Sequence, residues 1–279
     1  MRELINDLKE IKLVIFDLDG VIYRGKNLIP NVDKIIQELK DQSIKVVYNT
    51  NNSTITRKMY VERLEKLGIK SVISDFYTSA SITTVEITKM KKKSTIFIIG
   101  EIGLKTELEN CGHVIIEEGD ITNHVDFVVV GLDRNFNYNK LSFAQKCILE
   151  KGAEFIATNS DTTLPVEKGL KPGAGVMVNA VMTCTNKEPK IIYGKPNPFG
   201  ITKILEENRI QREYTCMIGD RLNTDILAGN RAGIKTIVVL TGVTTEEDID
   251  IIKNQLINSE KNRELLPFLV INELEDIFI

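Results

Sequence analysis

Histidine is almost missing from this chain: His113 and His124 are the two it has among 279 residues. Ser-His-Asp or Cys-His chemistry would have to use one of them, and neither stands in a nucleophile motif. Cysteine is sparse as well. Cys111, Cys147, Cys184 and Cys216 lie far apart with no Cys-x-x-Cys, which argues against a zinc site and for a reducing cytoplasm. No run reaches the roughly 20 apolar residues of a membrane helix. The opening stretch carries Arg2, Glu3, Asp7, Lys9, Glu10 and Lys12, so it does not read as a signal peptide. The net charge is −3 and no basic face stands out, which speaks against nucleic acid as a partner. Any catalysis is left to carboxylates, a lysine and a metal.

Apolar residues make up 42% and charged residues 27%, the balance of a globular protein, and the length suits one large or two smaller domains. The stretch that organises the rest is Leu13–Tyr23. Leu13 to Phe16 has the composition of a strand buried on both faces, as in a parallel sheet. It breaks into Asp17-Leu18-Asp19-Gly20. In extended chain Asp17 and Asp19 point to the same side, and Gly20 lets the chain turn with no Cβ in the way. Open α/β sheets build their sites at such carboxyl ends of strands.

A helix follows, with Val32, Ile35, Ile36 and Leu39 on one face, and then a strand, Ile44–Tyr48, that runs into Asn49-Thr50-Asn51-Asn52-Ser53. Tyr60, Val61, Leu64 and Leu67 mark the next helix, with Gly68 as its stop. That alternation predicts βαβ units and a parallel sheet. From about Ser79 a second α/β unit begins. Its strands are expected at Thr95–Ile99, Val114–Glu117, Phe127–Val130 and Glu154–Ala157, and its helices at Leu104–Asn110, Leu141–Glu150 and Ala174–Thr183. The first pattern is expected to resume at Ile191-Ile192-Tyr193-Gly194-Lys195, followed by a helix at Ile201–Asn208. Further core elements are a strand ending at Gly219-Asp220, a helix over Asp225–Gly233 and a strand at Thr236–Leu240. The reading is an α/β protein with a Rossmann-like parallel-sheet core (1–81 and 186–279) and an inserted α/β cap domain (82–185).

Four strand ends then carry polar groups: Asp17 with Asp19, Thr50 with Asn51, Lys195, and Asp220 with Asp225. Four carboxylates and one lysine leave a charge of −3. Like charges about 4 Å apart cost about 4 kcal/mol per pair at an effective dielectric of 20. A divalent cation makes the cluster tolerable, and oxygen ligands suit Mg²⁺.

These motifs together resemble a known family. Asp17-x-Asp19-Gly20, Thr50-Asn51-Asn52, Gly194-Lys195-Pro196 and Gly219-Asp220-x-x-x-x-Asp225 look like motifs I to IV of haloacid dehalogenase-type phosphatases. Thr50-Asn51-Asn52-Ser53 and the roughly hundred-residue insertion resemble the NagD-like, 4-nitrophenyl phosphatase branch with a C2-type cap. Gly131-Leu132-Asp133, Ala157-Thr158-Asn159-Ser160-Asp161 and Lys171-Pro172-Gly173-Ala174-Gly175 look similar too. The resemblance implies a Mg²⁺-dependent phosphatase of small phosphomonoesters, of sugar phosphate, phosphoglycolate, pyridoxal phosphate or nucleotide type. It implies Asp17 as nucleophile and Asp19 as acid and base. Gly20, Thr50, Asn51, Asn52 and Lys195 would hold the phosphoryl group. Asp17, Asp19 and Asp220 would hold Mg²⁺, with Asp225 behind them. Asp133, Asn159 and Asp161 are cap candidates for contacting a small phosphorylated metabolite. A homodimer through the cap is the assembly such relatives suggest. The rival readings are a phospho-accepting receiver-like domain and a non-catalytic sugar-phosphate-binding protein. The second acid beside Asp17 favours turnover over a lasting phosphoryl signal.

Overall fold

The computed structural model describes residues 2–120, 124–165, 169–256 and 260–279. The chain forms two compact units, one of Met1–Thr50, Val61–Tyr77 and Lys195–Ile279, the other of Asn51–Tyr60 and Thr78–Gly194.

The first unit holds a six-stranded sheet in the order Leu269–Ile271, Lys235–Val239, Thr215–Gly219, Leu13–Phe16, Lys45–Thr50, Phe76–Thr78. The pairings from Leu269–Ile271 across to Lys45–Thr50 are parallel. Leu13, Val14, Ile15 and Phe16 are all buried, as expected of a strand with helices over both faces. Each such side chain contributes about 1.5–3 kcal/mol relative to exposure. This strand is also where the strand order reverses. Lys45–Thr50 lies on one side and the later Thr215–Gly219 on the other, with Phe16 level with Tyr48 and Ile218. The crevice of an open α/β sheet forms at that switch point, so Asp17 stands at its mouth.

The second unit is built on a five-stranded parallel sheet in the order Ile191–Ile192, Glu154–Ala157, Phe127–Val130, Thr95–Ile99, Val114–Ile116. Helices Tyr138–Glu150 and Ala174–Thr185 supply Ala144, Cys147, Val178 and Val181 to its core. Helix Ser79–Met90 starts on a capping box, in which the Thr78 hydroxyl accepts the Ser81 N–H and the Ser81 hydroxyl accepts the Thr78 N–H.

One expectation needs correcting. Ile191–Ile192 does not resume the core: Ile191 pairs with Ile156 and Ile192 with Ala157, at the edge of the second sheet. Lys195 therefore follows a strand of the second unit rather than ending a core strand. The helix expected over Asp225–Gly233 is present; it begins earlier, as a π-turn over Leu222–Ile226, and continues as the α-helix Leu227–Ala232. The compact units divide at residues 50/51, 60/61, 77/78 and 194/195. Among the described residues no helix is long and apolar enough to cross a membrane.

Candidate active site

The centre of the first unit's site is a buried ammonium. Lys195 Nζ donates to Asp17 Oδ1 at 2.7 Å, to Asp225 Oδ1 at 2.6 Å and to the Asn49 carbonyl at 2.8 Å. The sheet supplies two of these partners. Asn49 is the penultimate residue of Lys45–Thr50, and Asp17 continues the central strand, its N–H bonding the Ile218 carbonyl at 2.9 Å. Burial alone would lower the lysine's pKa, but the carboxylates of Asp17 and Asp225 raise it, so it stays charged.

Asp225 is held from both ends. Its second oxygen accepts the N–H groups of Asp220 at 3.2 Å and Arg221 at 3.0 Å, closing a loop that its own π-turn begins. Such a wider turn re-aims one side chain at a cost to local regularity, and it recurs at functional sites. Asp220 lies across from it, its Oδ2 accepting the Val243 N–H at 2.9 Å. The backbone presses closely here. A Cβ on Gly20, which has φ +86°, would fall 2.3 Å from Asp220 Oδ2, and one on Gly242 would fall 2.0 Å from it. Glycine is required at both.

Asp17, Asp220 and Asp225 each present an oxygen, and these atoms lie within 4.8 Å of one another. Three carboxylates outnumber the one lysine between them, and Arg221 adds only a lesser pull on Asp220. The consequence shows in their proton affinity. Burial raises the Asp17 carboxyl well above the usual range, Lys195 opposing it and Asp225 and Asp220 adding to it. Burial, then the charge of Asp225, pushes Asp220 up to about 7. A buried all-oxygen donor set with too little positive charge fits Mg²⁺.

Asp19 lies two residues beyond Asp17. Its pKa is raised by burial against the pull of Arg63, Lys195 and Arg221. The loop beyond it folds into a small hairpin, Tyr23–Arg24 with Asn27–Leu28, pinned when Gly20 N–H donates to the Tyr23 carbonyl at 2.9 Å. The Arg63 guanidinium stacks 3.7 Å from the Tyr23 ring centre and donates to the Gly25 carbonyl. Arg24 donates to the Thr241 carbonyl, and the Thr241 hydroxyl to the Gly20 carbonyl at 2.8 Å. Arg63, Arg24 and Gly242 belong to no sequence motif. Arg63 lies on a helix whose period explains it as a surface position, so the sequence held no signal for it.

The predicted residues thus divide. Asp17, Asp19, Gly20, Lys195, Asp220 and Asp225 converge in the first unit, and the buried Thr50 ends the strand beside Asp17's. Asn51 and Asn52 begin the second unit's share of the chain. Asn52 Oδ1 accepts the Thr54 N–H at 2.9 Å and its hydroxyl at 2.7 Å, a local turn leading to helix Arg57–Lys66. Asn51 and Asn159 both donate to Asp161 Oδ2, at 2.9 and 2.7 Å. Asp133 is buried, its oxygens engaged by Lys140 Nζ at 2.6 Å and the Asn135 N–H at 2.8 Å.

Known proteins are similar to this chain. Residues 14–114 match a family model described as haloacid dehalogenase-like hydrolase, and residues 192–259 a second model of HAD-like hydrolases. An acid sugar phosphatase of Staphylococcus epidermidis is 38% identical over 242 residues, 87% of this chain and 91% of that protein. The structure of a 4-nitrophenylphosphatase from Thermotoga maritima superposes with a TM-score of 0.87 at 34% identity, covering 98% of each chain. A glycerol phosphate phosphatase from Mycobacterium tuberculosis, in complex with magnesium, gives 0.85 at 26% identity, covering 99% of this chain and 79% of that one. The chain belongs to the haloacid dehalogenase-like hydrolases, in the NagD and 4-nitrophenylphosphatase branch. It is an enzyme, a phosphatase of that type.

Proposed function

We propose that the chain hydrolyses small phosphomonoesters in a Mg²⁺-dependent reaction through a phosphoryl-aspartate at Asp17. The observation that carries this reading is the buried lysine between Asp17 and Asp225 with Asp220 alongside. It holds a nucleophile, a cation site and a phosphoryl-binding charge within a few ångströms.

The roles follow from position. Asp17 Oδ1 is fixed by Lys195, which leaves its other oxygen to attack phosphorus in line with the departing ester oxygen. Asp19, two residues beyond Asp17, gives its proton to that oxygen. It then takes one from the water that cleaves the phosphoryl-aspartate, so the enzyme returns to its starting protonation. The Thr50 hydroxyl and the Asn51 backbone amide would hold the phosphoryl oxygens, with the Lys195 ammonium supplying positive charge beside them as charge grows. Asp17 and Asp220, with the Asp19 carbonyl oxygen, would hold Mg²⁺, and Asp225 orients the lysine and the Asp220 loop. Bound there, Mg²⁺ supplies positive charge that lets a carboxylate approach a phosphate. The second unit is the cap in this reading. The names of the acid sugar phosphatase and the glycerol phosphate phosphatase make sugar and polyol phosphates the first substrates to try.

A panel of phosphorylated metabolites with 4-nitrophenyl phosphate, assayed for phosphate release against added Mg²⁺, tests the proposal. Turnover that rises with Mg²⁺ and ceases with excess chelator is expected. Release from none of the esters, or full release in chelator, would overturn it.

A further inference from the structure

The chain passes between its two units beside both phosphoryl-binding positions: Thr50 is bonded to Asn51, and Lys195 to Gly194. Within the second unit Asn51 and Gly194 are seated on one polar cluster. The Asn51 amide donates to Asp161 Oδ2 at 2.9 Å, and Asn159 donates to the same oxygen at 2.7 Å. The Thr158 hydroxyl donates to Asn159 Oδ1 at 2.8 Å, which fixes that amide's orientation. The Gly194 N–H bonds the Thr158 carbonyl at 2.7 Å. There is no room to spare, because a Cβ on Gly194 would lie 2.6 Å from the Thr158 carbonyl oxygen and 2.7 Å from Asn51 Oδ1. A third passage, at Tyr77/Thr78, joins them when the Ser79 hydroxyl donates to the Asn51 carbonyl at 2.6 Å.

We infer that Asp161 is a positioning residue for phosphoryl binding, not a substrate contact. Its carboxylate clasps Asn51 against the strand end that carries Gly194, and so fixes the backbone of the residues bonded to Thr50 and Lys195. The inference rests on the reading that Thr50 and Lys195 hold the phosphoryl group. An amide held by a carboxylate is worth more than a neutral pair, and losing it frees a backbone whose placement sets transition-state contacts.

The test measures hydrolysis of 4-nitrophenyl phosphate and two sugar phosphates, competitive inhibition by inorganic phosphate, and thermal melting, on the full-length protein. Asp161→Ala is expected to lower kcat/KM about tenfold by the same factor for every ester. Phosphate inhibition should weaken in parallel, and Asp161→Asn, which keeps an acceptor oxygen, should recover most of both. Asn51→Asp sets two carboxylates face to face and should be as poor. The exchanged pair Asn51→Asp with Asp161→Asn restores one amide against one carboxylate and should regain activity, which carries the test if Asp161→Ala does not fold. A changed ranking among esters with unchanged phosphate inhibition would make Asp161 a substrate contact and overturn the inference. So would wild-type kinetics in Asp161→Ala, or an exchanged pair no better than its worse single variant. Wild-type turnover by Lys195→Ala would instead refute the underlying reading, whatever Asp161 does.

Discussion

The two units are built alike and their strand ends are not. Each has a parallel sheet with acidic residues just beyond the carboxyl ends of its strands. In the second unit three of these acids have partners among the described residues. Asp133 meets Lys140 at 2.6 Å, Glu101 meets Arg134 at 2.5 Å, and Asp161 accepts two amides. In the first unit Asp17 and Asp225 share Lys195, and Asp220 stands beside them as a third carboxylate. An acid at a strand end is therefore a weak sign of chemistry. Acids in excess of their cations, buried together, are the informative sign, because the imbalance persists only if something absent from the chain corrects it.

The sharpest way to break the comparison is to remove the attacking charge. Asp17→Asn keeps the shape and the strand hydrogen bond but leaves nothing to attack phosphorus. Turnover is expected to fall at least ~10³-fold, the scale of losing one member of a catalytic unit, with melting close to wild type. Phosphate release near the wild-type rate from the folded variant would show that the excess of carboxylates serves some other purpose.

Most of that site was legible in the sequence because its parts are local. A buried apolar strand ending in Asp17-Leu18-Asp19-Gly20 states its own geometry, and the intervals to Lys195, Asp220 and Asp225 state a family. Three strands of the second unit fall at the bounds expected of them, Thr95–Ile99, Phe127–Val130 and Glu154–Ala157. The misses are of another kind. Ile191 and Ile192 would suit either sheet, and only pairing with Ile156 and Ala157 decides which. Tyr23–Arg24 and Asn27–Leu28 are too short to show a period, and helix Glu246–Leu256 was not expected at all. The Asn52 side chain holds a turn with Thr54, a local bond that its motif does not spell out. Arg63 acts through the Tyr23 ring, a tertiary contact that no spacing reveals.

A single aspartate removed from each unit should move stability in opposite directions. Asp133→Ala leaves Lys140 without its carboxylate and the Asn135 N–H without its acceptor, in a site where Asp133 is 1% exposed. A loss of about 1–3 kcal/mol is expected, the cost of stranding partly buried groups. Asp220→Ala, measured in chelator, should instead leave the melting temperature unchanged or raise it, because a repelling charge is gone. It should also abolish any stabilisation by Mg²⁺. Equal destabilisation by the two substitutions would mean that the first unit's carboxylates are balanced within the chain.

The smallest effect expected belongs to His113, which tests how completely the second unit satisfies its polar groups. Its Nδ1 accepts the Ser94 N–H at 3.1 Å, which puts the ring proton on Nε2, 2.9 Å from the Thr88 hydroxyl; that hydroxyl in turn donates to the Thr84 carbonyl at 2.7 Å. The neutral ring fits this chain of bonds and the cation does not, since a proton on Nδ1 would face the Ser94 N–H. Burial lowers the imidazole's pKa below its ordinary 6.5, against a smaller pull upward from Asp126. The unfolded chain therefore binds this proton at a higher pH than the folded one. The stability the neutral ring contributes is whole above about pH 6.5 and is lost as pH falls through the folded value. The expected loss is about 1 kcal/mol or less, since the downward shift is partly offset by Asp126. Melting curves of the wild type and His113→Gln between pH 7.5 and 5 check it. The wild type should lose more stability than the variant over that interval, and parallel curves would show that the histidine is as free to take a proton in the fold as out of it.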